Sequence, residues 1–344
     1  MGFSFGNIAI AKDKPPLVIP DIGINHGGSI EVAKKMVRAA YEAGAALVKH
    51  QTHVVDDEMS PAAKQVIPGN SSDSIYDVMS SCSLTEEEEY EMMRYTESLG
   101  MEFISTPFSR AAADRLERFG VKAYKIGSGE LNNLPLIEHI ARFNKPMLVS
   151  TGMNDLASIR NTCDLLDSYS VPYALLHTTN LYPTTASQVR LGAFMQMIEH
   201  FPHVPIGLSD HTVNNNACLA ATALGASLLE RHFTDTRSRE GNDISCSMDV
   251  DDLRSLIAGS REIFEMRGGT KEPLKEEQVT IDFAFATVVT IDSVTRGELF
   301  TDKNLWVKRP GTGSIPAKDY KSILGRKAAI DIANNTHLEW RMVE

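Results

Sequence analysis

Hydrophobic and polar positions along this chain follow two alternating patterns. Short, near-continuous apolar runs at 17–23, 47–52, 103–108, 123–128, 146–152, 173–179, 206–211 and 229–233 read as strands buried on both faces. Between them, apolar residues recur three and four apart, as on an amphipathic helix, at 29–43, 85–99, 111–119, 135–143, 156–169, 191–201 and 216–226, and again at 250–266. Punctuation agrees. Ser29 stands as a helix N-cap with Gly44 as its stop, and Thr85-x-x-Glu88 has the form of a capping box before a helix that Gly100 ends.

Strand and helix alternating in this way predict eight βα units and a closed (β/α)8 barrel, with an open doubly wound sheet as the alternative. What favours the barrel is the chemistry at the C-terminal end of the strands. Asp21, Lys49-His50-Gln51, Ser105-Thr106, Lys125 with Ser128, Ser150-Thr151, Thr178-Thr179-Asn180, Asp210-His211 and His232 all fall there. Barrel enzymes build their sites at that face.

The pattern breaks in three places. Residues 53–83 form an insert longer than an ordinary barrel loop, rich in Ser, Asp and Pro, which reads as a lid over the mouth or as a disordered segment. After Gly268-Gly269 a charged, Pro-containing stretch reads as a linker over 269–284. Residues 285–344 are short-elemented and turn-rich, a small mixed domain that follows a barrel over 1–268. The residues before Leu17 read as a short leader.

Composition narrows the partners. The chain has 344 residues, 42% of them hydrophobic and 23% charged, with a net charge of −11. A basic stripe able to neutralise nucleic-acid or anionic-lipid phosphates is missing, so neither is expected as a partner. No run approaches the roughly 18 apolar residues of a membrane span, and a cytoplasmic location is expected. The four cysteines, Cys82, Cys163, Cys218 and Cys246, have no C-x-x-C pair, and are expected to be free buried thiols.

His211 and His232 end two consecutive strands, and a right-handed crossover puts both strand ends on the same side of the sheet. Two imidazoles facing one mouth can share a metal ion and leave coordination positions open; alternatively, each is a core histidine satisfied by backbone. Lys49 and Lys125 end two other strands. Buried ammonium groups call for a counter-charge, either an anionic ligand such as a phosphate or carboxylate, or a neighbouring carboxylate such as Glu130. Thr106, Ser128, Ser150 and Ser209 offer neutral donors around the same place. Glu130, in Tyr124-Lys-Ile-Gly-Ser-Gly-Glu130, is a candidate to act on a substrate hydroxyl or proton. Asn180, Tyr182 and Asp243 are either ligand contacts or a loop anchor and a helix cap, and Arg309 is either a basic turn reaching a neighbour's site or a solvated surface turn.

Taken together, Ile22-Gly-Ile-Asn-His26, Val48-Lys-His-Gln-Thr52, Phe103-Ile-Ser-Thr-Pro-Phe108, Tyr124-Lys-Ile-Gly-Ser-Gly-Glu130, Gly207-Leu-Ser-Asp-His211, Glu230-Arg-His-Phe233 and Trp306-Val-Lys-Arg-Pro-Gly311 resemble the bacterial sialic acid (N-acetylneuraminate) synthase family from about Leu17 onward. The resemblance implies a barrel followed by a small antifreeze-like (SAF, β-clip) domain. It also implies condensation of phosphoenolpyruvate with N-acetylmannosamine, and a homodimer whose small domains are exchanged. His211 and His232 match its divalent-metal ligands, usually Mn2+, with Mg2+ or Co2+ as other candidates. Lys49, Thr106, Lys125, Ser128, Ser150, Asn180 and Ser209 match its phosphoenolpyruvate pocket. Gln51, Glu130, Tyr182 and Asp243 match its sugar side, with an aromatic from the hinge, Phe283 or Phe285, and with Arg309 arriving from the other subunit. One position departs: Asp21 stands where the family usually has Glu. Other readings stay open: a legionaminate synthase or one taking a 6-phosphate sugar, a Schiff-base pyruvate aldolase on Lys125 or Lys49, and a non-catalytic carbohydrate- or ice-binding protein.

Overall fold

The computed structural model describes residues 2–69 and 71–344. The chain divides into two compact units, residues 1–268 and 269–344. The first begins with a short hairpin, β1 (Phe3–Phe5) and β2 (Ile8–Ile10), and then alternates: β3 (Leu17–Gly23), α1 (Ile30–Glu42), β4 (Leu47–Thr52), α2 (Val55–Glu58), α3 (Ile75–Cys82), α4 (Glu86–Ser98), β5 (Glu102–Pro107), α5 (Arg110–Phe119), β6 (Tyr124–Ile126), α6 (Leu134–Ala141), β7 (Met147–Ser150), α7 (Leu156–Ser168), β8 (Tyr173–Thr178), α8 (Leu191–His200), β9 (Ile206–Asp210), α9 (Asn216–Leu224), β10 (Leu228–His232) and α10 (Val250–Met266). Strands β3 to β10 are parallel and close into an eight-stranded barrel, β10 pairing with both β9 and β3.

Local chemistry explains the element boundaries. Ser29 accepts from the Val32 amide at the start of α1, and Thr85 and Glu88 complete the reciprocal capping box of α4, each cap worth about 1 kcal/mol. Strand alternation then sorts the side chains. Val18, Ile22, Val48, Phe103, Tyr124, Met147, Val149, Leu175 and Leu208 pack outward against the helices. Ile19, Leu47, Ile104, Ala123, Leu148, Ala174, Leu176 and Leu228 form a separate cluster inside the barrel. Two residues on from members of this inner layer stand Asp21, Lys49, Thr106, Lys125, Ser150 and Glu230, all buried. The barrel interior is therefore apolar at one end and ionic at the other, with a single change of layer between them.

The stretch before Leu17, expected to be a leader, is instead the β1–β2 hairpin, whose Phe5, Ile8 and Ile10 join the inner apolar cluster and plug that end of the barrel. The insert 53–83 carries α2, α3 and a 3-10 turn, Pro61–Gln65, rather than structureless chain. The end of α3 comes close to the β3–α1 loop: a Cβ at Gly28 would sit 2.4 Å from the Ser81 carbonyl oxygen. The fourth strand is shorter than its apolar run, and Ser128 opens a 3-10 turn, Ser128–Asn132, beyond it.

The second unit holds a 3-10 turn, Lys275–Glu277, and α11 (Gln278–Ala284), within the span expected as linker, then β11 (Thr287–Thr290), antiparallel to β12 (Leu305–Lys308), and α12 (Tyr320–Ile323). Its own core gathers Val288, Val294, Phe300, Leu305, Ile315, Ile323, Leu338 and others. Among the described residues no helix is long and apolar enough to cross a membrane.

Candidate active site

The ends of β9 and β10 bring the two imidazoles together. The His211 and His232 rings are 5.3 Å apart between centroids and nearly parallel, at 26°. His211 Nδ1 lies 2.7 Å from the Thr179 carbonyl and donates to it, which leaves Nε2 as its free lone pair. His232 Nδ1 is buried without a hydrogen-bond partner, 3.3 Å from Asp21 Oδ2 and 3.9 Å from Asp243 Oδ2. Burial, and then the neighbouring His232, hold the His211 imidazole down at about 3, so it is neutral at physiological pH. Among the described residues no three or more His, Cys, Asp or Glu side chains are grouped as a metal site. The pair fits a divalent cation held by two protein ligands. Both rings are neutral-capable donors at sharing distance, one is oriented by a backbone carbonyl as metal-bound histidines are, and the other has an unpartnered buried nitrogen.

Behind the strand ends, on the outer face, Arg231 Nε lies 3.4 Å from Asp210 Oδ2 and its Nη2 donates to the Thr212 carbonyl. This link fixes the two strand ends relative to each other.

Below the imidazoles sit two ammonium groups. Lys49 Nζ donates to Asp21 Oδ2 at 2.5 Å and lies 3.9 Å from Glu230 Oε1. Lys125 Nζ lies 3.6 Å from the same Glu230 oxygen and donates to Ser150 Oγ at 2.6 Å. Their environments diverge. Burial opposes the charge of Lys49, yet Asp21 and Glu230 outweigh it and raise its pKa, while Asp21 is correspondingly held below the usual carboxylate range. Lys125, with Glu230 close but Lys49 repelling it, is pushed by burial down to about 8.

Neutral groups ring the lysines. Ser209 Oγ donates to Glu230, and Ser128 Oγ accepts the Gly152 amide at 3.0 Å. Gly152 is needed there: a Cβ would fall 1.8 Å from Asn180 Oδ1 and 2.9 Å from Ser128 Oγ. Thr106 Oγ1, Asn180 Oδ1 and Glu230 Oε2 are buried polar atoms without partners, all from the cluster at this mouth. Gln51 Nε2 reaches Asp21 Oδ2 at 3.4 Å, and Tyr182 packs on His211, ring centroids 4.2 Å apart. Asp243 precedes a 3-10 turn without capping it through its side chain, so its carboxylate stays on the His232 side. Glu130 does not pair with either lysine and is bonded to Asn133 at 2.7 Å; burial and nearby Glu58 lift its pKa. Phe283, Phe285 and Arg309 belong to the second unit and are exposed.

One expectation changes, and one residue was missed. The carboxylates that meet the lysines are Asp21 and Glu230, not Glu130, because strand alternation turns Glu230 inward beside Lys125. Glu230 was absent from the candidates although it lies two residues before His232, and that i, i+2 relation on one strand is the signal that would have found it.

Residues 36–272 match the NeuB family and residues 286–344 match the SAF domain. N,N'-diacetyllegionaminic acid synthase of Legionella pneumophila is 32% identical, over 95% of this chain and 94% of that protein. Human N-acetylneuraminate-9-phosphate synthase is 28% identical, over 97% and 94%. The crystal structure of N-acetylneuraminic acid (sialic acid) synthetase from Leptospira borgpetersenii, in complex with citrate, is 26% identical and superposes with a TM-score of 0.75, covering 82% of this chain and 95% of that one. A parallel (β/α)8 barrel with this mouth, followed by a SAF domain and matched along its length by such relatives, belongs to the NeuB family.

Proposed function

We propose that this enzyme condenses phosphoenolpyruvate with N-acetylmannosamine and water to give N-acetylneuraminate and phosphate. The observation that carries the reading is the mouth itself: two buried lysines beneath two paired histidines, with partnerless Thr106, Asn180 and Glu230 atoms around them. An incoming phosphate or carboxylate would compete with Asp21 and Glu230 for the two ammonium groups, which favours a multiply charged ligand.

His211 and His232 would hold a divalent cation, Mn2+ by resemblance, and such an ion supplies Lewis-acid chemistry when bound. Lys49 and Lys125, with Ser128, Ser150, Asn180 and Ser209, would bind phosphoenolpyruvate and align its enol carbon with the sugar aldehyde. Gln51, Tyr182, Asp21 and Asp243 would orient the open-chain sugar. Carbon–carbon bond formation turns the aldehyde oxygen into an alkoxide, which takes up a proton to become a hydroxyl, and leaves positive charge on the carbon bearing phosphate. Water adds there and gives up a proton; the C–O bond then breaks and phosphate departs. Glu130, its carboxyl lifted by burial, is suited to carry a proton in these steps. Positioning and charge stabilisation supply most of the acceleration. In this reading the protein works in the cytoplasm as a homodimer, with Arg309 and Phe283 of the small domain completing the sugar side of the partner's mouth.

Purified protein assayed with phosphoenolpyruvate and a panel of aminosugars, with phosphate release as the signal, tests the proposal. No phosphate release with any acceptor would refute it. Relatives named N,N'-diacetyllegionaminic acid synthase at 32% and 33% identity favour a 2,4-diacetamido-2,4,6-trideoxyhexose as the second acceptor to try. The Lys125 amine, at about 8, favours as a separate reading a Schiff base with pyruvate. Trapping with borohydride would reveal it.

A further inference from the structure

A second stacked histidine pair spans the β3–α1 loop and β4. His26, in the β3–α1 loop, and His50, on the outward face of β4, are both buried, with ring centroids 5.3 Å apart. Their Nε2 atoms face each other at 3.2 Å. The Gly28 amide donates to His26 Nδ1 at 3.2 Å, so that nitrogen accepts and the His26 proton sits on Nε2. His50 Nε2 must then accept, which puts its proton on Nδ1, facing Glu89 Oε1 of α4 at 3.1 Å. Glu89 is buried and further held by Thr52 Oγ1 and by Arg115 Nη1. Burial opposes its charge, but these donors, His50 first, keep its carboxyl below the usual range. The chain of donors therefore runs one way, from the Gly28 amide through two neutral rings to a carboxylate, with every ring nitrogen used.

The place where this chain sits gives it a task. Strands β3 and β4 meet at only two register pairs, Asp21 with Lys49 and Gly23 with His50, and the ladder slips by a residue between them. A slipped ladder loses backbone hydrogen bonds. Yet the same seam carries Asp21, Lys49 and Gln51, and Asp21 accepts from both of the others in the mouth. Asp21 also accepts the Gly23 amide at 2.9 Å, so the loop that His26 anchors reaches the ionic layer directly.

We propose that His26 and His50, backed by Glu89, are positioning residues: they close the β3–β4 seam in place of ladder bonds and so keep Lys49, Asp21 and Gln51 where the anionic substrate meets them. The proposal rests on the synthase reading of that mouth. The relay touches no substrate, and its effect is on binding geometry.

The test uses the full-length enzyme with His50→Phe, which keeps a ring against Phe103 but offers neither nitrogen, and His50→Gln, which returns an acceptor near the Nε2 position. Melting temperature, kcat, KM for phosphoenolpyruvate and calorimetric phosphoenolpyruvate affinity are read for each. His50→Phe is expected to raise KM and weaken affinity by about tenfold with a smaller change in kcat, and His50→Gln to recover part of that loss. A lower melting temperature or lower active fraction with unchanged KM would make the pair merely structural and overturn the proposal. Should His50→Phe fail to fold, imidazole 15N NMR of the wild-type enzyme decides: His26 protonated on Nε2 with His50 on Nδ1 supports the relay, and any other arrangement overturns it. Wild-type protein without phosphoenolpyruvate turnover would refute the synthase reading, whereas normal wild-type turnover beside an unaltered His50→Phe variant would refute the relay alone.

Discussion

Two pairs of histidines lie in this barrel with the same 5.3 Å between ring centroids and nearly the same tilt, 26° for His211 and His232, 29° for His26 and His50. One pair is open. His211 spends a single nitrogen on a backbone carbonyl and His232 Nδ1 has no hydrogen-bond partner. The other pair is closed, each ring nitrogen committed to a neighbour. Ring spacing alone therefore says little about what a histidine pair does. The partners of the remaining nitrogens separate a candidate ligand set from a closed relay, since buried donors and acceptors are satisfied unless something else is meant to satisfy them.

Mutation of the open pair should cost activity and spare the fold. His211→Ala is expected to lower turnover by about a thousandfold or more, and EDTA to do the same to the wild type, with Mn2+ rescuing only the chelated wild type. Full activity in EDTA would remove the metal from this account. The closed pair should behave oppositely in stability measurements. His26→Ala leaves a buried His50 acceptor unpaired, at a cost of about 1–3 kcal/mol in denaturant unfolding.

The lysines give the comparison a pH axis. The folded pKa of Lys125, about 8, lies below its ordinary 10.5, so its charge is full below that point and lost as pH rises through it. KM for phosphoenolpyruvate should climb above pH about 8, and Glu230→Ala, which removes the carboxylate beside Lys125, should start the climb at lower pH. A KM profile flat to pH 10 would contradict this.

His26 is held down in the same sense, and there the readout is stability. Burial, and then His50, hold its imidazole at about 3, below the ordinary 6.5. The unfolded chain then takes up a proton that the fold refuses, so stability is lost as pH falls from 6.5 toward 3, and His26→Phe should flatten that part of the stability curve. The smallest effect expected is that of Thr85→Ala, which removes half of the capping box at the start of α4: about 1 kcal/mol of stability in denaturant unfolding.

Much of this architecture could be read from the residues in order. Apolar runs, helical spacing and the Ser29 and Thr85 caps are local signals, and they placed the barrel strands and most of the helices between them within a residue or two, because buried strands and helix ends are specified by short stretches of chain. The polar strand ends were legible for the same reason, and His211, His232, Lys49 and Lys125 do meet in one mouth.

What the sequence left open were the pairings that depend on how the closed barrel packs. Phe5, Ile8 and Ile10 looked like the end of a leader, because three-residue strands carry no periodic signal and become a plug only once a ring of inward apolar side chains is there to receive them. Glu130 was the carboxylate the residues offered to the lysines; alternation along β10 turns Glu230 inward to meet them instead, while Asn133 holds Glu130. His26 and His50 are 24 residues apart and lie on opposite sides of a slipped seam. Pairing across strands depends on register and closure, which are set by the packing of the whole sheet rather than by any window of residues, and there the tertiary structure alone decided.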